Sequence, residues 1–248
     1  MKKYSILLLI LAFAISAFAQ KDDKAKQTEK ETKAAAVTIS KTSTPMELAK
    51  AALNAHGGDK FKNMKTLIVR GSAEISGSPT QVIPATFSMV LAGEKYLLEI
   101  TNPLQPFKQV YDGEQTYSSV PNFTLPPINR LGLPLLPKIE EKGYVVAALS
   151  DKSKKLGFRI TSPEGYYTDF FLDEKTAQVK SYESSYDYKG RNVTTSVEID
   201  KVRDVEGIII PERYAQRFEL GSLTMYSDFK AKEILVNTAV ADDVFTLK

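Results

Sequence analysis

The 248-residue chain holds no cysteine, no tryptophan and one histidine, and it is 43% hydrophobic and 25% charged, an ordinary balance for a globular protein. Disulfide frameworks, thiolate metal sites, cysteine nucleophiles and a lipid-modified N-terminal cysteine are thereby excluded, and no His–His metal pair can form. The formal net charge is +3, or +1 without Lys2 and Lys3, too little for a phosphate-binding face, so no nucleic-acid partner is expected.

Lys2 and Lys3 precede an apolar run from Ile6 to Ile15, closed by Ala17-Phe18-Ala19. A charged start, a short apolar centre and a small-x-small end read as a secretory signal peptide over residues 1–19, cleaved after Ala19. The run falls short of the about 20 residues a membrane span needs. No other stretch is long and apolar enough, so a periplasmic protein that does not span the membrane after cleavage is expected. Residues 21–33 are dense in Lys, Asp, Glu, Gln and Thr and hold no large apolar residue, and residues 34–43 are little better able to offset the entropy of ordering, so residues 20–43 read as one segment. They are expected to be a disordered charged leader, with the folded domain at 44–248.

Thr44-Pro45-Met46-Glu47 is a helix start: Thr44 caps, Pro45 suits the first helical position and Glu47 completes a capping box. Met46, Leu48, Ala49, Ala52, Leu53 and Ala55 recur at helical spacing, Gly57-Gly58 ends the helix, and Asp59 is placed to cap one more turn over 60–64. After Lys65 the apolar period becomes two. Strands are predicted at 67–75, 81–91, 96–100, 109–111, 116–120, 157–161, 166–172, 178–188, 192–202, 208–220 and 223–235. Short turn signals separate most of them, Asp112-Gly113-Glu114 among these, and they read as one antiparallel meander.

One stretch breaks the rhythm. Residues 121–137 hold five of the twelve prolines among Phe123, Leu125, Ile128, Leu131, Leu133, Leu135 and Leu136. Proline suppresses sheet pairing, yet the segment is too apolar for a surface loop. It must bury itself against the sheet, either as a plug or as a lid over an apolar cavity. Residues 139–149, after it, fit a short helix or a strand.

Chemistry has few footholds. His56 ends a helix, where capping or packing accounts for it. The carboxylate pairs Asp112/Glu114, Asp173/Glu174 and Asp242/Asp243 sit where turns are expected. No nucleophile elbow, phosphate loop or dinucleotide fingerprint is present. No catalytic residue, metal or cofactor is expected. The tyrosines are patterned: Tyr182, Tyr186 and Tyr188 share parity on one predicted strand, and Tyr214 and Phe218 on a later one. Such a stripe is core, a half-exposed sheet face, or the wall of an amphipathic-ligand groove.

Residues 51–71 carry Ala55, Gly57, Gly58, Leu67 and Gly71 in a spacing that resembles the opening block of exported proteins of the LolA/LolB-like superfamily, the periplasmic outer-membrane lipoprotein carriers and their relatives. Tyr111-Asp112-Gly113 followed by Tyr117, Ile210-Pro211 after Gly207, and Asn237 with Val244-Phe245 extend the likeness over roughly residues 45–248. The resemblance implies a mainly β (α+β) fold, a single curved antiparallel sheet or incomplete β-barrel with helices packed in its concave face, in agreement with the helix-then-strands pattern. It also implies a cavity for the acyl chains of a lipid or acylated lipoprotein. The proline-rich residues named above would then form the lid, and Leu67, Val69, Phe87 and Leu97 the wall. Lys95 stands where the carriers latch the lid with an arginine, and it lacks the planar donor fork. Tyr117 replaces the usual tryptophan. The function expected is a non-enzymatic carrier or binding protein; the alternative is a sensory or structural module on the same fold, acting through an envelope protein partner.

Overall fold

A computed structural model describes residues 39–78, 81–121, 123–125, 127–150, 155–188, 190–221 and 223–247. The expected export signal and the leader up to residue 38 lie outside them. The leader's last residues do not, and among them Ile39 is buried in the principal core.

Helix α1 (Pro45–Ala55) starts as its sequence dictates. The Glu47 amide donates to Thr44 Oγ1 (3.3 Å), the Thr44 amide donates to the Glu47 carboxylate (2.7 Å), and Pro45 opens the first turn. Gly57, at φ +119°, ends it, and its missing side chain matters twice: a Cβ there would lie 2.6 Å from the Gly207 carbonyl oxygen. Helix α2 is a single turn, Asp59–Lys62, capped by Gly58; Asp59 is its first residue and not its cap.

Twelve strands follow among the described residues: β1 (Thr66–Ser78), β2 (Gln81–Ala92), β3 (Lys95–Thr101), β4 (Phe107–Tyr111), β5 (Thr116–Ser118), β6 (Val145–Ala147), β7 (Gly157–Thr161), β8 (Tyr167–Leu172), β9 (Val179–Tyr188), β10 (Arg191–Val205), β11 (Ile208–Leu220) and β12 (Leu223–Val236). They form one antiparallel sheet in the order β5-β4-β3-β2-β1-β12-β11-β10-β9-β8-β7-β6, open between its edges β5 and β6. The single meander expected from the sequence is in fact two, β1–β5 and β6–β12, joined where the first strand pairs with the last. The reason is long-range: β1 and β12 meet along ten residue pairs, with a bulge at Arg70/Gly71 where a Cβ on Gly71 would sit 2.1 Å from the Lys230 carbonyl oxygen. The connection from β5 to β6 must therefore pass from one edge of the sheet to the other.

Alternation sorts the side chains. Leu67, Val69 and Ala73 of β1, Phe87 and Leu91 of β2, and Phe229, Ala231 and Ile234 of β12 belong to the principal core, with α1, Leu135 and Leu136. The opposite face of the first meander carries a second core: Ile68, Val90, Leu97 and Val110 pack against Phe245. Asn237, at φ +53°, turns the chain off β12 toward that face, and its Oδ1 accepts from the Lys65 amide (2.9 Å).

Candidate functional site

The edge-to-edge connection is the apolar, proline-rich stretch. Proline lacks an N–H and fixes φ, so the segment forms two 3-10 turns, Ile128–Arg130 and Leu133–Lys138, instead of a strand. It is pinned along its length. Gln109, fully buried on β4, donates from Nε2 to the Leu125 carbonyl (2.8 Å) and to Tyr96 Oη (2.6 Å), and its Oε1 accepts from the Leu125 amide (2.6 Å). Asn129 Nδ2 donates to the Glu94 carbonyl (2.7 Å), and Lys138 Nζ meets the Glu94 carboxylate at 2.9 Å. The Gly132 amide donates to Thr168 Oγ1 (3.1 Å), and Arg130 pairs with Glu164. Past the second turn, Glu140 pairs with Lys62 (2.8 Å) and Lys50 (3.0 Å), whose ammonium groups hold its carboxyl down at about 2, against an ordinary 4.5. Burial alone would lower the Lys138 ammonium, but its hydrogen bond to Glu94 and the field of Tyr144 carry it above the usual lysine value.

Between this roof and the sheet lies a cavity of about 460 Å³, within the roughly 300–1,000 Å³ common for ligand sites. Residues from β3, β2, β1, β12, β11, β10 and β9 all face it, so the sheet curls around it. The wall from β1–β3 is apolar: Leu67, Val69, Phe87, Met89, Leu91, Leu98 and Ile100. The wall from β9–β12 is mixed, with Tyr182, Ser184, Thr195, Tyr214, Gln216 and Ser227 among Val197, Phe218 and Phe229. Lys62, Lys65, Glu94, Lys138 and Glu141 are the charged residues that line it.

Of the residues singled out in the sequence, Leu67, Val69, Phe87, Leu125, Ile128, Leu131 and Leu133 line this cavity. Leu135 and Leu136 do not: they are fully buried in the principal core, where the insert contacts α1, and so act as plug, not roof. Phe123 packs edge-on against Phe107 at 5.7 Å, away from the lining. Leu97 and Lys95 require correction. On β3 the residues of inward parity are Tyr96, Leu98 and Ile100, so Leu97 belongs to the outer core, and Lys95 Nζ pairs with Asp242 (2.9 Å) and sits over the Phe245 ring. Lys95 fastens the C-terminal turn, not the insert.

The residues that do fasten the insert, Glu94, Gln109, Asn129 and Lys138, were missed. Only Gln109 left a trace in the sequence, as a polar residue at an inward position of a predicted strand; the others act through contacts 35 or more residues apart. Asp112 and Asp173 accept from backbone amides of their own turns, as turn residues do. His56 is fully buried, with Nδ1 donating to the Ile209 carbonyl (2.8 Å) and Nε2 accepting from the Val179 amide (3.1 Å). Desolvation lowers its pKa, partly opposed by the bond to Ile209. Both ring nitrogens are committed to the backbone, so the histidine ties α1 to β9 and β11 and is spent on structure. No group of three or more His, Asp or Glu side chains among the described residues is placed to hold a metal ion.

No sequence-family profile matches the chain, and no curated protein matches it in sequence. Solved structures do resemble it. A LolA superfamily protein from Nitrosomonas europaea superposes with a TM-score of 0.52 at 14% identity, covering 83% of this chain and 98% of the other. A DUF1329 family protein from Desulfovibrio piger gives a TM-score of 0.49 at 12% identity over 83% of this chain and 98% of its own. Such low identity speaks to fold, and the fold of this chain, far diverged in sequence, is LolA-like.

Proposed function

We propose that the chain is an exported, non-enzymatic carrier or binding protein that holds the acyl chains of a lipid or acylated lipoprotein in the cavity between the sheet and the proline-rich roof. One observation carries this: the insert leaves about 460 Å³ between itself and the sheet, against a mainly apolar wall from β1–β3. Each methylene moved from water to such a wall gains about 0.8 kcal/mol, so a chain of several methylenes is held without covalent chemistry. The likeness in fold to the LolA superfamily protein and the signal-like N-terminus support the same reading. Among the described residues no helix is long and apolar enough to cross a membrane.

Protein stripped of ligand should take up a fluorescent fatty acyl probe saturably, at one site per chain. Met89 faces the cavity and is only partly buried, so Met89→Trp fills the space without crowding the packed core. That variant should keep its circular dichroism spectrum and lose uptake. Absence of saturable uptake by the wild type would overturn the reading.

A further inference from the structure

The proline-rich insert lies on the inner face of the sheet and the C-terminal 3-10 turn, Asp242–Phe245, on the outer face, yet neighbouring residues of one tight hairpin grip both. β2 and β3 are joined by two residues, Gly93 and Glu94, between the paired Ala92 and Lys95. Gly93 takes φ +58°, the left-handed value that such short turns favour at their first residue, and its amide donates to the Lys65 carbonyl (3.3 Å) just before β1. Glu94 holds the insert: its carbonyl accepts from Asn129 Nδ2 and its carboxylate from Lys138 Nζ. Lys95 reaches the outer face, where its ammonium pairs with Asp242 and lies 5.9 Å from the centre of the Phe245 ring. Lys65 closes the circuit. Its amide donates to Asn237 Oδ1, and the Asn237 amide donates to the Thr66 carbonyl, where the chain leaves β12 for the outer face.

The outer covering is lightly held. No described residue past Val236 belongs to a strand. Phe245 buries itself among Ile68, Val90, Leu97 and Val110, while the ties of Lys95 to Asp242 and of Lys108 Nζ to the Thr246 carbonyl (3.2 Å) lie at the surface. A segment of this kind opens at less cost than the sheet beneath it. A two-residue turn, in contrast, has too few free torsions to let Glu94 shift without carrying Lys95 along.

We propose that the β2–β3 hairpin couples the insert to the C-terminal turn. When the insert pulls away from Glu94, Lys95 loses its hold on Asp242, the C-terminal turn loosens, and the apolar patch of Ile68, Val90, Leu97 and Val110 is uncovered. The state of the cover on the inner face is thereby displayed on the outer face. Linkage makes the effect reciprocal: freeing the C-terminal turn loosens the insert by the same factor. The coupling is a property of the chain and holds whatever the cavity binds.

With no cysteine in the chain, one introduced thiol is read without background. Val244→Cys reports on the C-terminal turn and Ile128→Cys on the insert, through their rates of maleimide labelling in the folded protein with no ligand added. Lys138→Met keeps the apolar stem of a side chain only 15% exposed and removes the charge that Glu94 holds. It should speed labelling at Val244→Cys several-fold, and Glu94→Gln should do the same. Asp242→Asn should speed labelling at Ile128→Cys by a similar factor. Glu140→Gln frees the chain beyond the insert from Lys50 and Lys62 without touching the hairpin, and should leave the Val244→Cys rate unchanged. Circular dichroism checks that each variant is folded. An unchanged Val244→Cys rate in Lys138→Met and Glu94→Gln, whether or not the insert's thiol reacts faster, would overturn the coupling. So would an equal acceleration by Glu140→Gln, which would mean general loosening, or an effect in one direction alone.

Discussion

At the scale of single residues, His56 shows how a lone titratable side chain is absorbed by structure. Its ring bridges two strands through backbone groups 123 and 153 residues away. His56→Ala leaves the Val179 amide and the Ile209 carbonyl buried without partners, and we expect a loss of about 3 kcal/mol in urea unfolding at pH 7.5. The sign of the pH effect follows from the lowered pKa. As pH falls below 6.5 the unfolded chain takes up a proton that the folded chain refuses, so stability declines there and is complete above 6.5. His56→Gln removes the titrating group, and its stability should be flatter across that window than the wild type's. Gly57 and Gly71 belong to the same scale. Each stands where a Cβ would strike a carbonyl oxygen far along the chain, that of Gly207 in the β10–β11 turn and that of Lys230 on β12, which gives a physical basis to the glycines of the block at residues 51–71.

At the scale of elements, the proline-rich insert is both plug and roof. Leu135 and Leu136 fill the core, while Leu125, Ile128, Leu131 and Leu133 cover open space. Its aliphatic content was plain in the sequence, as was its inability to form a strand. Its fastenings were not, because Gln109, Glu94 and Lys138 are ordinary polar residues until the sheet brings them to it. The ion pairs of Glu140 with Lys62 and Lys50 tie the chain just beyond the insert to both helices. A carboxyl held at about 2 against 4.5 contributes fully above pH 4.5, and the contribution is lost as pH falls from there toward 2. A carbon-detected titration of Glu140 should give a midpoint near 2 in wild type, rising toward 4.5 when Lys50 and Lys62 are both replaced by Met. High salt should raise the wild-type midpoint as well, because the pairs are exposed to solvent.

At the scale of the whole domain, the pairing of β1 with β12 decides the architecture. It places the two meanders side by side, leaves β5 and β6 as edges, and sends the insert over the inner face. A cavity created in this way is a defect in packing unless something fills it. On the carrier reading proposed above, protein produced from the full-length sequence should therefore carry acyl lipid detectable by native mass spectrometry. Stripping that lipid should lower Tm, and re-adding it should restore Tm in a concentration-dependent way. An unchanged Tm on stripping would mean that the roof and sheet gain nothing from an occupant.

By itself, the sequence determined what is local. A capping box, a pair of glycines, a period of two and a run of prolines each state their consequence within a few residues, so the helix, most strand positions and the irregular insert were legible. Which way Leu97 and Lys95 face, which strands pair and what holds the insert were decided by tertiary structure. Strand parity shows which residues share a face but not which face is inward, and the β1–β12 register joins residues more than 140 positions apart. The same holds for the tyrosines of β9 and β11: the parity within each strand was visible in the sequence, but only the folded sheet turns Tyr182 and Tyr214 toward one cavity.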